Sequence, residues 1–190
     1  MLIPVAGFDP SLTNWGIAEG QLDLETGYLN GVRLEVVSTD KGKHKQVRTN
    51  SDDLRRCEEL ARKALEVGRR CKAIFVEVPV GSQNASGMKA YGVVCGILGT
   101  LRAEGIQIIE VTATEVKLAF TGNKNATKQQ MIDAGVEFYP TVEWPRHAKN
   151  GAKFKKGDLM NEAEHVADAL AAIHAGVSTP IFQNLLRILR

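Results

Sequence analysis

Apolar positions recur along this chain with two different periods. Leu2 to Phe8 is a short apolar run that stops at Asp9-Pro10, the pattern of a buried strand ended by a turn. Trp15 to Leu24 predicts a second strand. Tyr28 to Ser38 predicts a third, in which Val32, Leu34 and Val36 alternate with Arg33 and Glu35. Glu25-Thr26-Gly27 between the last two is a turn signal and predicts an antiparallel hairpin. After a basic stretch, Lys41 to Arg48, that reads as mobile, Ser51-Asp52-Asp53 is expected to cap a helix running to Cys71. Leu54, Leu60, Ala64 and Leu65 give that helix a partial apolar stripe.

Ala73 to Val78 is a continuous apolar strand interrupted by one charge, Glu77. Ala85 to Glu104 predicts a long, weakly polar helix and Gln107 to Val111 another strand. Thr112 caps a short helix to Phe120, and a further helix covers Thr127 to Phe138. Arg146 to Lys156 is rich in lysine and without periodicity, the pattern of an exposed, flexible loop. Leu159 to Ala175 predicts a final strong helix, and a short apolar piece, Ile181 to Leu189, follows. Strands come first as a meander and then alternate with helices. That order predicts an α/β fold, a mixed sheet with helices on both faces, in one domain spanning 1–190.

Composition narrows the class without choosing it. The 190 residues are 44% hydrophobic, enough for a core of their own. Lysine and arginine number 24 against 22 acids, a formal charge of +2, so any polyanion partner must be met by local clusters. The three cysteines, Cys57, Cys71 and Cys95, form no C-x-x-C pair and read as free, largely buried thiols of a reducing compartment. The first ten residues, MLIPVAGFDP, carry no basic region before an apolar one. No segment reaches the roughly 20 apolar residues that span a bilayer. A cytoplasmic protein without membrane contact is expected.

The chemistry lies in charges that are out of place. Asp9 ends an apolar strand, and Glu77 sits in Ile74-Phe75-Val76-Glu77-Val78, which would bury both its faces. Asp168 falls in the alanine-rich Val166-Ala167-Asp168-Ala169-Leu170, with Glu164 and His165 one turn earlier on the same side. Unpaired buried carboxylates cost several kcal/mol, so such groups are paired or bind a cation. Any one of them could be a cap or a surface ion pair. Together they suit a hard divalent ion that prefers oxygen ligands. Two such ions about 3.5–4 Å apart can activate water against a phosphodiester.

Gly7-Phe8-Asp9-Pro10-Ser11-Leu12-Thr13-Asn14-Trp15-Gly16 resembles the first motif of the RuvC Holliday-junction resolvases, and Ala73 to Glu77 resembles their second acidic strand. Val111 to Lys117 and Thr121-Gly122-Asn123-Lys124-Asn125-Ala126-Thr127-Lys128 are similar to the third block. His165-Val166-Ala167-Asp168-Ala169-Leu170-Ala171 is similar to the fourth, and the blocks fall in order. The resemblance implies a ribonuclease-H-like fold with a five-stranded sheet and a homodimer. It also implies hydrolysis of opposed strands at four-way junctions by two Mg²⁺ ions, with Mn²⁺ able to substitute. It makes Asp9, Glu77 and Asp168 metal ligands and puts the fourth position on His165, with Glu164 as competitor.

Lys117 and Lys128 fall on basic positions of the family near the scissile phosphate, although by spacing alone they read as solvated helix lysines. Arg146, Lys149, Lys153, Lys155 and Lys156 could clamp phosphates or simply be a solvated loop. Gly92, Gly96 and Gly99 line one side of the long helix, suiting either the family's dimer contact or packing on the chain's own sheet. Ser11 and the residues after Glu77 depart from bacterial housekeeping members and resemble phage relatives. Three residues after Glu77, where many members carry an aromatic that stacks on a base, stands Val80. Relaxed sequence preference is therefore expected, with forks and flaps cut as well, unless Tyr91, Trp144 or Phe154 takes over the role.

Three other classes compete. Sugar kinases and actin-like ATPases carry a D-x-G-x-T turn that Asp9 to Thr13 fits loosely, but they need two such domains and a second nucleotide loop. A YqgF-type ribosomal RNA processing nuclease shares the fold but lacks the T-G-N-x-x-A-x-K block. A non-catalytic junction binder would gain nothing from carboxylates facing phosphates.

Overall fold

The structure is a computed structural model and describes residues 1–42 and 48–189. Most of the basic stretch Lys41 to Arg48 (residues 43–47) lies outside the described residues. Five strands, β1 (Leu2–Asp9), β2 (Asn14–Asp23), β3 (Leu29–Ser38), β4 (Ala73–Glu77) and β5 (Ile108–Val111), form one sheet in the order β3-β2-β1-β4-β5. The first three are an antiparallel meander, and β4 and β5 run parallel to β1. This is the mixed five-stranded sheet that the element order predicts.

Strand side chains alternate between faces, and each face has its own core. Ile3 and Val5 of β1, with Ala73 and Phe75 of β4, pack toward α3 (Ala113–Thr121), α4 (Lys128–Phe138), α5 (Ala163–Val177) and α6 (Pro180–Leu189). Ala6, Phe8, Ile74 and Val76 pack toward α1 (Thr49–Arg70) and α2 (Ala85–Ala103). Helices thus cover both faces. Fully burying an aliphatic or phenylalanine side chain contributes about 1.5–3 kcal/mol, and Phe8, Phe75, Phe120 and Phe182 are all buried.

Several local expectations are corrected. The N-cap of α1 is Arg48 rather than Ser51 to Asp53, and Leu54 is exposed. Asp52 instead accepts from the Gly42 N–H at 3.0 Å and pairs with Arg55. The last long helix begins at Ala163, four residues late, because Leu159 is held in a bridge to Arg146. The apolar piece at Ile181 is a helix whose Phe182 and Leu186, four apart, are buried. Thr112 and Thr127 do cap their helices, each in a reciprocal box with Glu115 and Gln130. The cysteines are free but half-buried rather than buried, and burial pushes the Cys71 thiol up to about 12. Among the described residues, no helix is long and apolar enough to cross a membrane.

Candidate active site

Asp9 and Glu77 are the last residues of adjacent parallel strands. The pairing of β1 with β4 runs to Phe8 and Val76, so the two acids leave the sheet side by side. Parity sets their direction. Val5 and Phe75 face the α5 side, and Asp9 and Glu77 keep that parity. α5 lies close on this face because two glycines admit its backbone. A Cβ on Gly7 would lie 1.9 Å from the Ala169 carbonyl oxygen, and one on Gly16, opposite Asp9 in β2, would lie 2.1 Å from that of His165. These contacts bring residues 165–169 down onto β1 and β2, with Glu164, His165 and Asp168 on neighbouring turns.

The side chains meet as charges. His165 Nδ1 donates to Asp9 Oδ2 at 2.7 Å, with side-chain exposures of 24% and 23%. That hydrogen bond raises the imidazole above its ordinary range against the opposing effect of burial. Burial, followed by the negative charges of Asp9, Glu77 and Glu164, pushes the Asp168 carboxyl up to about 7. Burial and then Asp9 also raise Glu77, while the Lys117 ammonium pulls it back. Lys128 Nζ pairs with Glu164 Oε1 at 2.6 Å, which raises the lysine, and it also feels Asp168 and Asp9.

Asp9, Glu77, His165, Asp168, Lys117 and Lys128 are therefore brought to one end of the sheet. Of the two competitors for the fourth place, His165 faces Asp9, and Glu164 is held by Lys128. Arg146, Lys149, Lys153, Lys155 and Lys156 stand apart as an exposed group on the segment before α5.

Among the described residues, no three His, Cys, Asp or Glu side chains converge on one point closely enough to hold an ion in this arrangement. Asp9 is turned to His165 instead. In kind, however, the donors fit a hard divalent cation: carboxylate oxygens with one imidazole. The negative charges of Asp9, Glu77 and Glu164, which add to burial in raising Asp168, are charge such a cation would neutralise.

Sequence reasoning missed Arg56, which is 2% exposed on α1. Its guanidinium donates to the Leu12 carbonyl at 3.1 Å, Thr13 Oγ1 at 3.3 Å and Thr39 Oγ1 at 3.1 Å. It thereby fastens the turn that follows Asp9. The signal was its place at i−4 and i−8 from Leu60 and Ala64, on the buried stripe. The glycine stripe of α2 is settled against self-packing among the described residues, none of which would lie within 4 Å of a Cβ on Gly92, Gly96 or Gly99. Val80 is 89% exposed, and Trp144, at 4%, is buried away from any surface role.

No protein-family model matches the chain, and no curated protein does. Solved structures do. One, Thermus thermophilus RuvC in complex with Holliday junction substrate, superposes with a TM-score of 0.62 at 22% identity, covering 96% of each chain. A second structure of Thermus thermophilus RuvC gives a TM-score of 0.62 at 24% identity over 97% of each chain. The chain has the ribonuclease-H-like α/β fold of those structures.

Proposed function

We propose that this protein is a metal-dependent, structure-selective endonuclease that resolves Holliday junctions and other branched DNA. The observation that carries the reading is the meeting of Asp9, Glu77 and Asp168, from three separate elements, at one end of the sheet. The fold is shared with a protein whose solved complex holds a Holliday junction, which supports the choice of substrate.

Asp9, Glu77, Asp168 and His165 are the residues that would hold divalent ions. Bound there, Mg²⁺ or Mn²⁺ would supply Lewis-acid activation of the phosphodiester and of the attacking water. Asp168, with its carboxyl near 7, can take or give a proton in the neutral range before a cation binds. His165 orients Asp9 through Nδ1. Lys117 and Lys128 offset the charge of a phosphate brought against these carboxylates, Lys128 being steadied by Glu164.

Opposed cuts on two strands need two sites related by a two-fold axis. The open glycine face of α2 is suited to close approach of a second copy, which supports a homodimer. The sequence departures noted above support a phage origin.

The test is cleavage of fixed and mobile four-way junctions with and without magnesium. Magnesium-dependent cutting is expected, and Asp9→Asn should abolish it while leaving junction binding intact or stronger. An Asp9→Asn protein that cuts at the normal rate contradicts the site, and cleavage of structured RNA in place of junction DNA contradicts the substrate.

A further inference from the structure

The segment read from the sequence as a flexible loop is an ordered hairpin. Arg146 and Leu159 form an antiparallel bridge, and the Met160 N–H donates to the Pro145 carbonyl at 3.0 Å. Further in, the His147 N–H donates to the Asp158 carbonyl and the Gly157 N–H to the His147 carbonyl, both at 2.9 Å. At the tip, the Gly151 N–H reaches the Phe154 carbonyl at 2.9 Å, and Asn150 Oδ1 accepts from the Lys156 N–H at 2.7 Å. Asp158, the one acid in 145–160, has its carboxylate engaged by the Lys155 N–H at 2.6 Å. The base is anchored by Trp144, which packs on Gly135 of α4 and donates to the Tyr139 carbonyl at 3.1 Å.

Two features of this hairpin face solvent. Lys149, Lys153, Lys155 and Lys156 are exposed, and none of the ion pairs among the described residues includes them. Phe154 lies flat on His147, ring centroids 3.5 Å apart and planes within 6°, yet keeps 39% of its surface open. Clustered ammonium groups match a chain of phosphates, and a flat ring pair matches a base freed from its stack. Because the backbone is already hydrogen-bonded, little ordering is needed on binding. The hairpin runs directly into the first turn of α5, where Glu164 and His165 sit.

We propose that this hairpin is a DNA clamp: its four lysines engage the phosphates of one arm, and the Phe154–His147 pair stacks on an unpaired base at the branch. The proposal rests on the reading of the protein as a branched-DNA nuclease and names the surface that recognises the branch. Ring stacking accepts any base, so the clamp selects an opened structure rather than a sequence.

The test is equilibrium binding in magnesium-free buffer to a four-way junction carrying 2-aminopurine at the branch, and to a linear duplex, across a salt series. Replacing all four lysines by alanine should reduce the slope of log affinity against log salt by about 3 to 4 on both DNAs. Phe154→Leu, which keeps an apolar contact with Gly151, should weaken junction binding about tenfold and abolish the 2-aminopurine response, with duplex affinity unchanged. Melting temperatures like the wild type's establish that both variants fold. A wild-type salt slope in the lysine variant, or a wild-type 2-aminopurine response in Phe154→Leu, overturns the clamp while leaving the nuclease reading standing. Wild-type protein that binds structured RNA but no branched DNA overturns both.

Discussion

Gly16 is a sharp place to test how the site is held. A methyl group there would lie 2.1 Å from the His165 carbonyl oxygen and 2.9 Å from the His165 Cβ. The obstacle is helix backbone, which cannot rotate away as a side-chain end can. Gly16→Ala must therefore open α5 from β2 by about 1 Å, at the overpacking cost of about 1–3 kcal/mol. For a chain of this length, that lowers the melting temperature by about 2–12 °C. The same displacement pulls His165 from Asp9, now 2.7 Å away, and shifts Asp168 relative to Glu77. A misplacement of about 1 Å at reacting groups costs about 100-fold in rate. Single-turnover cleavage of a four-way junction, read well below the melting temperature of the variant, separates the two effects. A variant with wild-type stability would refute the packing argument. One that is destabilised but cuts at the wild-type rate would refute the claim that this contact sets the site.

Gly96→Ala is expected to behave in the opposite way: with no described residue within 4 Å of its Cβ, it should raise monomer stability by about 1 kcal/mol and weaken dimerisation. Thermal melts together with sedimentation equilibrium check this, and an alanine variant that dimerises as tightly as the wild type would clear α2 of the interface. His174 is packed among Phe120, Phe138 and Tyr139, and burial lowers its pKa below 6.5, so the unfolded chain takes up the proton first. Its contribution to stability is complete above that value and is lost as pH falls below it, by at most about 1.4 kcal/mol per pH unit. In melts from pH 7 to pH 5, His174→Gln should therefore lose less stability than the wild type. The raised Asp168 carboxyl acts with the opposite sign but equally in both proteins. His165→Ala should lower the cleavage rate strongly, Glu164→Ala only modestly, and His165→Asp should retain activity. Kinetics showing the reverse order would hand the fourth position to Glu164.

What the chain discloses by itself follows from the range of the interactions involved. Strand and helix periods depend on neighbours within a few positions, so the sheet and most helices were readable. So was the shared face of Asp9 and Glu77, once their strands were paired. A charge in an apolar run is conspicuous for the same local reason, and the three-residue step from His165 to Asp168 put both on one side of a helix. The hairpin at 145–160 has no period, because its order comes from side chains such as Asp158 and Asn150 meeting backbone N–H groups, and from Trp144 seated on a distant helix.

Arg56 shows the limit most clearly. A helix arginine among Asp52, Asp53 and Arg55 reads as one more solvated charge. Its partners Leu12, Thr13 and Thr39 lie 44, 43 and 17 residues away, beyond the reach of any local pattern. The buried guanidinium is satisfied by a carbonyl and two hydroxyls, with Asp53 at 3.8 Å. It therefore acts as a hydrogen-bonded tie rather than as half of a tight ion pair. The turn it ties begins at the residue after Asp9, so a residue from a different element helps hold the segment where β1 gives way to β2. Asp53 also pairs with Lys89 at 2.7 Å, which extends the connection to α2 and the helix face on which a second copy would sit.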